Sequence, residues 1–216
     1  MRLKTEREKV RKYCTKMLSS GLTKGTGGNI SIFNREEGLI AISPSGIPYE
    51  EINIEDVVVV NLDGKIIEGN YKPSSEILMH LAVYKNRQEL SAVVHTHSIF
   101  AKTLSALRKD LPAVSYLVAV AGKNVKCAEY ASFGTKELAE NAIKALEGNK
   151  AVLLANHGLL AAGVNVEDAF NIAEEIELCS EVYVRALSIG TPVILEEEEM
   201  ESMLERFKTY GTPIEK

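Results

Sequence analysis

Two histidines stand two residues apart at the end of an apolar run, in Ala92-Val93-Val94-His95-Thr96-His97-Ser98. On a β-strand, side chains two positions apart point to the same face, with their Cα atoms about 7 Å apart. Two imidazoles in this arrangement can bind one metal ion. The His95-x-His97 pattern therefore predicts part of a metal site.

A third histidine, His157, follows a second apolar run at residues 151–155 and directly precedes Gly158, where a chain often turns sharply. Taken alone, a histidine after a strand is more commonly a hydrogen-bonded loop or core residue than a metal ligand. The three histidines form a site only if these strand ends meet, and the set still lacks an acid.

Glu76 is the candidate for that acid, at the predicted start of a helix and directly behind Ser74 and Ser75. The alternative is a surface carboxylate, which the helix dipole favours in a first turn. The serine hydroxyls and the free N–H groups of the helix start predict a phosphate cradle. Two more turns of small residues can add backbone donors, Gly27-Gly28-Asn29 and Ser43-Pro44-Ser45-Gly46.

Together these residues describe a site for a small phosphorylated substrate that carries a carbonyl group. A zinc ion held by three imidazoles keeps a coordination position open, polarises a carbonyl and stabilises an enediolate. A glutamate beside it can move the proton next to that carbonyl. His80 shares a helix face with Glu76, but we do not count it as a ligand because the other three histidines complete the set.

The chain has 216 residues, 45% of them apolar, which fits one domain over residues 1–216. Its net charge of −5 and scattered basic residues argue against nucleic acid or an anionic membrane surface as a partner. The three cysteines are odd in number and far apart, which indicates reduced thiols in a cytoplasmic protein rather than a disulfide framework. No apolar stretch approaches the length of a membrane span.

Apolar periodicity predicts the elements that position these residues. Helices are expected at residues 5–20, 73–84, 135–146, 165–190 and 196–207. Strands are expected at 30–32 and 39–42, in a hairpin at 57–67, and in two runs that lead to His97 and His157. The expected fold is α/β, with a central, mostly antiparallel sheet flanked by helices.

Six motifs in this order resemble the class II aldolase family, over essentially the full length of the chain. They are Gly25-Thr26-Gly27-Gly28-Asn29-Ile30-Ser31, Ser43-Pro44-Ser45-Gly46-Ile47-Pro48-Tyr49-Glu50, Lys72-Pro73-Ser74-Ser75-Glu76, Val94-His95-Thr96-His97, Ala131-Ser132-Phe133-Gly134-Thr135 and Asn156-His157-Gly158-Leu159. Within the family, the order and spacing are most similar to the branch that cleaves L-fuculose 1-phosphate.

The resemblance implies a zinc enzyme, with one Zn²⁺ per subunit, that reversibly cleaves L-fuculose 1-phosphate to dihydroxyacetone phosphate and L-lactaldehyde. His95, His97 and His157 would be permanent metal ligands. Glu76 would be a ligand in the resting state and the general acid/base once substrate displaces it. The residues that would hold the phosphate and the adjoining part of the substrate are Gly28, Asn29, Ser45, Gly46, Ser74 and Ser75.

The resemblance also assigns three aromatic residues. Tyr116 would handle the proton on the aldehyde oxygen, reaching in from the next subunit of a homotetramer, although its apolar surroundings also fit a core residue. Phe133 and Tyr210 would shape the aldehyde pocket, although Tyr210 also fits an ordinary exposed tail.

Related functions are open alternatives. An L-ribulose-5-phosphate 4-epimerase is disfavoured because that branch typically carries aspartate where Glu76 stands. Motif spacing does not distinguish an L-rhamnulose-1-phosphate aldolase from an L-fuculose-1-phosphate aldolase. A methylthioribulose-1-phosphate dehydratase also shares the histidine pattern and the glutamate. A non-catalytic adducin-like module is expected to lose the metal ligands that this chain keeps.

Overall fold

In the computed structural model, which describes residues 1–209, eight strands form one sheet. The strands are β1 (Asn29–Asn34), β2 (Leu39–Ile42), β3 (Val58–Asn61), β4 (Ile66–Glu68), β5 (Ala92–Thr96), β6 (Cys127–Ala128), β7 (Ala151–Leu154) and β8 (Gly158–Gly163). Their spatial order is β4-β3-β2-β1-β5-β8-β7-β6, and every neighbouring pair is antiparallel except β6 and β7. The mostly antiparallel sheet predicted from the sequence is confirmed.

Among residues 1–209, six α-helices pack on the two faces of the sheet. They are α1 (Lys4–Ser19), α2 (Ile77–Asn86), α3 (Ile99–Ala106), α4 (Lys136–Leu146), α5 (Val166–Ile189) and α6 (Glu197–Phe207). Side-chain caps hold two of the predicted helix starts, since Thr135 accepts from the N–H of Leu138 and Asn165 accepts from the N–H of Asp168. Within the described residues, no helix combines the length and apolarity needed to cross a bilayer.

Strand side chains alternate between two apolar cores. Val94 packs with residues of α1, α3, α5 and α6 on one face, whereas Val93 packs with residues of α2 and α4 on the other. By the same alternation, His95 lies on the α2/α4 face. Asn29, which pairs with His95 across β1 and β5, lies on that face as well.

The start of α2 differs from the prediction. We expected the helix to begin at Pro73 with a serine cap, but α2 begins at Ile77 and Glu76 occupies the capping position without a side-chain cap bond. The reason is that the preceding segment is extended: Ser74 donates its N–H to the Ser43 carbonyl at 3.0 Å. A second bond, from Ser45 to Lys72 at 3.0 Å, fixes this segment beside the Ser43–Ser45 turn.

Three further elements were not predicted, namely α3, β6 and β8. The strand β8 forms a tight antiparallel hairpin with β7, in which Leu154 pairs with Gly158. The turn contains Asn156 in the left-handed conformation (φ 56°), which asparagine tolerates better than most residues. His157 is therefore held in a turn rather than at the free end of a strand.

We expect Gly28→Ala to destabilise the protein more than Gly25→Ala. Both glycines have positive φ (74° and 61°), so alanine costs about 1–2 kcal/mol of unfolding free energy at either position. A Cβ on Gly28 would also lie 2.5 Å from the His95 carbonyl oxygen, whereas one on Gly25 meets nothing within 4 Å. Moving this backbone adds about 1–3 kcal/mol. Urea unfolding of the metal-free variants measures both losses, and equal losses would contradict the close approach of β1 and β5.

Candidate metal centre and active site

Glu76, His95, His97 and His157 form one cluster in which the four potential ligand atoms lie within 4.8 Å of one another. The Nε2 atom of His95 is 3.1 Å from Nε2 of His97 and 3.2 Å from Oε2 of Glu76. His157 contributes its Nε2 atom, 3.2 Å from Oε1 of Glu76. The structure thus brings together all four residues that the sequence predicted as metal ligands.

The sheet fixes the orientation of His95. Its Nδ1 atom lies 2.8 Å from the carbonyl oxygen of Leu159 on β8, and this bond requires the proton on Nδ1. In the neutral ring, Nε2 then carries no proton, and it faces the cluster with its lone pair available. An imidazole held by a backbone carbonyl in this way is the usual arrangement of a metal ligand.

Glu76 is 6% exposed, and its two carboxylate oxygens have different surroundings. Oε2 accepts a hydrogen bond from Nδ2 of Asn29 at 2.9 Å. Oε1 is buried and has no hydrogen-bond partner among the described residues, although the His157 ring is near. A buried carboxylate oxygen without a donor, surrounded by imidazole nitrogens, is satisfied by a cation. Three imidazoles and one carboxylate therefore fit a divalent transition metal.

Burial keeps two of the candidate ligands, His97 and His157, in the neutral state that binds metal. It lowers the pKa of His97 to about 3 and that of His157 to about 4, so both rings are neutral near pH 7. Burial by itself raises the pKa of Glu76, but it is outweighed by the positive charge that the His95 or His157 ring carries when protonated and by the Asn29 donor, which lower the pKa below its ordinary value. Glu76 is therefore an anion.

The three donor-rich turns line one cavity of about 350 Å³ next to the cluster. This is within the size range of small-ligand sites. The predicted residues along its wall are Gly28, Asn29, Ser45, Gly46, Ser74, Ser75, Glu76, Phe133, His97 and His157. The Lys72–Ser45 and Ser74–Ser43 backbone bonds explain why turns from distant parts of the chain meet here.

Other residues line the cavity without having been assigned a role from the sequence. Tyr130 directly precedes the Ala131-Ser132-Phe133 motif, and Asn156 directly precedes His157. Both adjacencies are visible in the sequence, but only the fold shows that Tyr130 and Asn156 line the same cavity. His80 is fully buried outside the cluster, with its Nε2 atom 2.5 Å from Oδ1 of Asn29.

Tyr116 is not brought to this cavity within the chain. It is 52% exposed, stacks on Phe207 with ring centroids 6.4 Å apart, and lines a different cavity with residues of α5 and α6. Tyr210, the other aromatic residue assigned from the C-terminal segment, lies outside the described residues.

Comparison with known proteins places the chain in a family. The model for the Class II Aldolase and Adducin N-terminal domain matches residues 8–184. The chain belongs to the class II aldolase family. The resemblance inferred from the six motifs is confirmed by this match.

Curated relatives of this class II aldolase act on different ketose phosphates. The 5-deoxy-D-ribulose 1-phosphate aldolase of Bacillus thuringiensis serovar kurstaki is 57% identical over 98% of this chain and 99% of its own length. The L-fuculose phosphate aldolase of Escherichia coli is 43% identical over 94% of each chain. A solved structure of an L-fuculose 1-phosphate aldolase superposes with a TM-score of 0.93, at 51% identity over 94% of this chain and 96% of that one.

We expect the metal-free class II aldolase to lose stability as the pH falls from 7 to 5. Histidines in the unfolded chain bind protons near pH 6.5, whereas His80, His97 and His157 stay neutral in the folded protein down to about pH 4 or below. The unfolded state thus binds more protons in this range, and each histidine contributes up to about 1.4 kcal/mol per pH unit. Urea unfolding with a chelator present measures the slope.

A His157→Gln variant is the control for this pH dependence. Because glutamine does not titrate, its unfolding free energy should fall less steeply between pH 7 and 5. The same slope in variant and wild type would contradict the lowered pKa of His157.

Proposed function

We propose that this class II aldolase cleaves a deoxyketose 1-phosphate between C3 and C4, releasing dihydroxyacetone phosphate and a short aldehyde. The observation that carries the proposal is the single cavity in which the Glu/His₃ cluster meets three turns rich in hydrogen-bond donors. Among the described residues that line this cavity, none is lysine or arginine. The phosphate is therefore held by backbone N–H groups and serine hydroxyls.

The first substrate we propose is 5-deoxy-D-ribulose 1-phosphate, with acetaldehyde as the second product. The relative with that name is 57% identical to this chain, against 43% for the Escherichia coli L-fuculose phosphate aldolase. L-Fuculose 1-phosphate, which the motifs alone favoured, is the second candidate because the L-fuculose 1-phosphate aldolase structure superposes so closely. Both aldehydes end in a methyl group, which suits the exposed apolar surface of Phe133 at the cavity.

The proposed cofactor is one Zn²⁺ per subunit, held by His95, His97, His157 and, without substrate, Glu76. When bound, the ion supplies Lewis acidity toward the substrate carbonyl oxygen. In the direction of synthesis, Glu76 removes a proton from C3 of dihydroxyacetone phosphate, and C3 then bonds to the aldehyde carbon. Tyr116 donates a proton to the aldehyde oxygen, and cleavage is the reverse of these steps.

Glu76→Gln should reduce the rate of ketose 1-phosphate cleavage about 10²–10⁴-fold because the amide cannot move the C3 proton. Release of dihydroxyacetone phosphate, followed with a coupled reductase, measures the rate on both candidate substrates. Glu174→Gln is the control, since Glu174 pairs with Lys16 at the surface and should leave the rate unchanged. EDTA should abolish the wild-type activity.

Two results would contradict the proposal. Full activity of Glu76→Gln would remove Glu76 from the chemistry. Absence of cleavage of either substrate by zinc-loaded wild-type protein would reject the deoxyketose 1-phosphate assignment.

We also propose a cytoplasmic homotetramer in which Tyr116 completes the site of a neighbouring subunit. The exposure of Tyr116 and its position away from the Glu76 cavity support this assignment. The three cysteines are free, as expected for a reducing compartment.

Subunit mixing tests the role of Tyr116. Glu76→Gln and Tyr116→Phe should each be impaired, but a mixed oligomer contains sites that combine the intact Glu76 of one subunit with the intact Tyr116 of the other. After equal mixing through unfolding and refolding, about a quarter of the sites should regain wild-type activity. A mixture no more active than its two components would contradict a shared site.

A further inference from the structure

A chain of buried polar side chains leads from the α2/α4 core to Glu76. The hydroxyls of Tyr84 and Ser31 are 2.6 Å apart, and Oγ of Ser31 is 2.6 Å from Nδ1 of His80. Nε2 of His80 is 2.5 Å from Oδ1 of Asn29, whose Nδ2 donates to Oε2 of Glu76 at 2.9 Å. The first four residues are each no more than 3% exposed.

The direction of the hydrogen bonds between Glu76 and Ser31 follows from the charge on Glu76. Ionised Glu76 only accepts, so the Asn29 amide must present its nitrogen to Glu76 and its oxygen to His80. His80 must then carry its proton on Nε2, and its Nδ1 accepts from the Ser31 hydroxyl. Burial lowers the pKa of His80 to about 3, which leaves the ring with the single proton that this arrangement needs.

Helix geometry explains how these groups align. His80 and Tyr84 are four residues apart on one face of α2, and Glu76, four residues before His80, occupies the capping position of that helix. Asn29 and Ser31 are two apart on β1 and share the sheet face that meets α2. The stripe of α2 that carries the carboxylate therefore also carries the groups that hold it in place.

We propose that His80 is a positioning residue for Glu76: its Nε2–H fixes the orientation of the Asn29 amide, and that amide holds the carboxylate toward the metal centre and the substrate. The catalytic part of this inference rests on the proposed aldolase function. If His80 no longer donates, the Asn29 amide can rotate and turn its oxygen toward Glu76. The carboxylate then loses its donor and meets a repulsive partner.

The side chains of glutamine and asparagine separate the two ring nitrogens of His80. In His80→Gln, the terminal amide nitrogen can occupy the position of Nε2 and donate to Asn29. In His80→Asn, the shorter side chain can reach Ser31 but leaves Asn29 without a donor. Both variants remove the buried imidazole ring, so both lose its packing contacts. The main difference between them is the hydrogen-bond donor to Asn29.

We expect His80→Asn to lower kcat about 10–100-fold, the usual effect of losing a group that orients a metal ligand, with KM changed less than about threefold. His80→Gln should retain kcat within about threefold of wild type. Ser180→Ala is the control for the loss of a buried polar group elsewhere, since the Ser180 hydroxyl donates within its own helix, to the carbonyl of Ile176. It should leave kcat unchanged.

Two measurements need no substrate. Competition with a chelator should show the Zn²⁺ affinity of His80→Asn reduced about 10–100-fold and that of His80→Gln nearly retained. In ¹⁵N NMR spectra of the metal-free wild-type protein, the His80 Nε2–H and the Asn29 side-chain amide should be protected from exchange. The Asn29 signals should lose that protection in His80→Asn but not in His80→Gln.

Three results would overturn the positioning role. These are equal losses of kcat and Zn²⁺ affinity in the two His80 variants, wild-type behaviour of His80→Asn, or a wild-type His80 ring that is protonated on Nδ1. If the wild-type protein cleaves no ketose 1-phosphate, the proposed function fails while the Zn²⁺ affinities and NMR spectra still decide the role of His80. If both His80 variants fail to fold, the wild-type spectra decide: a protected proton on Nε2 of His80 together with a protected Asn29 side-chain amide supports the positioning role, and a proton on Nδ1 overturns it.

Discussion

The buried charge of Glu76 is the constraint on which the rest of this site depends. An isolated carboxylate at 6% exposure is costly unless charges and donors surround it. Here Asn29 compensates one oxygen, while the other faces His157 without a hydrogen bond. A cation bound between Glu76 and the histidines would compensate the second oxygen. The burial that makes this carboxylate costly without a cation therefore favours metal binding.

The local patterns in the sequence predicted much of this structure. The His95-x-His97 spacing, the Asp63-Gly64 hairpin and the Asn165 cap each depend on neighbouring residues, and each is confirmed. The start of α2 was wrong because its cause is not local. Residues 72–74 stay extended through backbone bonds to the turn at 43–45, which no helix propensity reveals.

The site was predictable to the extent that its residues belong to motifs. The four candidate ligands were found from their chemistry and from the family resemblance, and the structure places them together. Tyr130 was missed because no hydrophobic periodicity or motif spacing marks it in the sequence. In the structure its side chain is 53% exposed. The partners of His80 were missed for another reason: the alignment of α2 over β1 brings them together, and that alignment is a property of the sheet order.

The register of β1, β5 and β8 also governs when the site can form during folding. Asn29 pairs with His95, and His95 pairs with Leu160, so the centre of the sheet joins segments that are distant along the chain. Contacts between such segments form late because closing the intervening loops costs entropy. A metal ion therefore finds its ligands assembled only after the centre of the sheet has closed. It binds the native state in preference to partly folded forms. Metal binding therefore stabilises the sheet once it has formed and does not nucleate it.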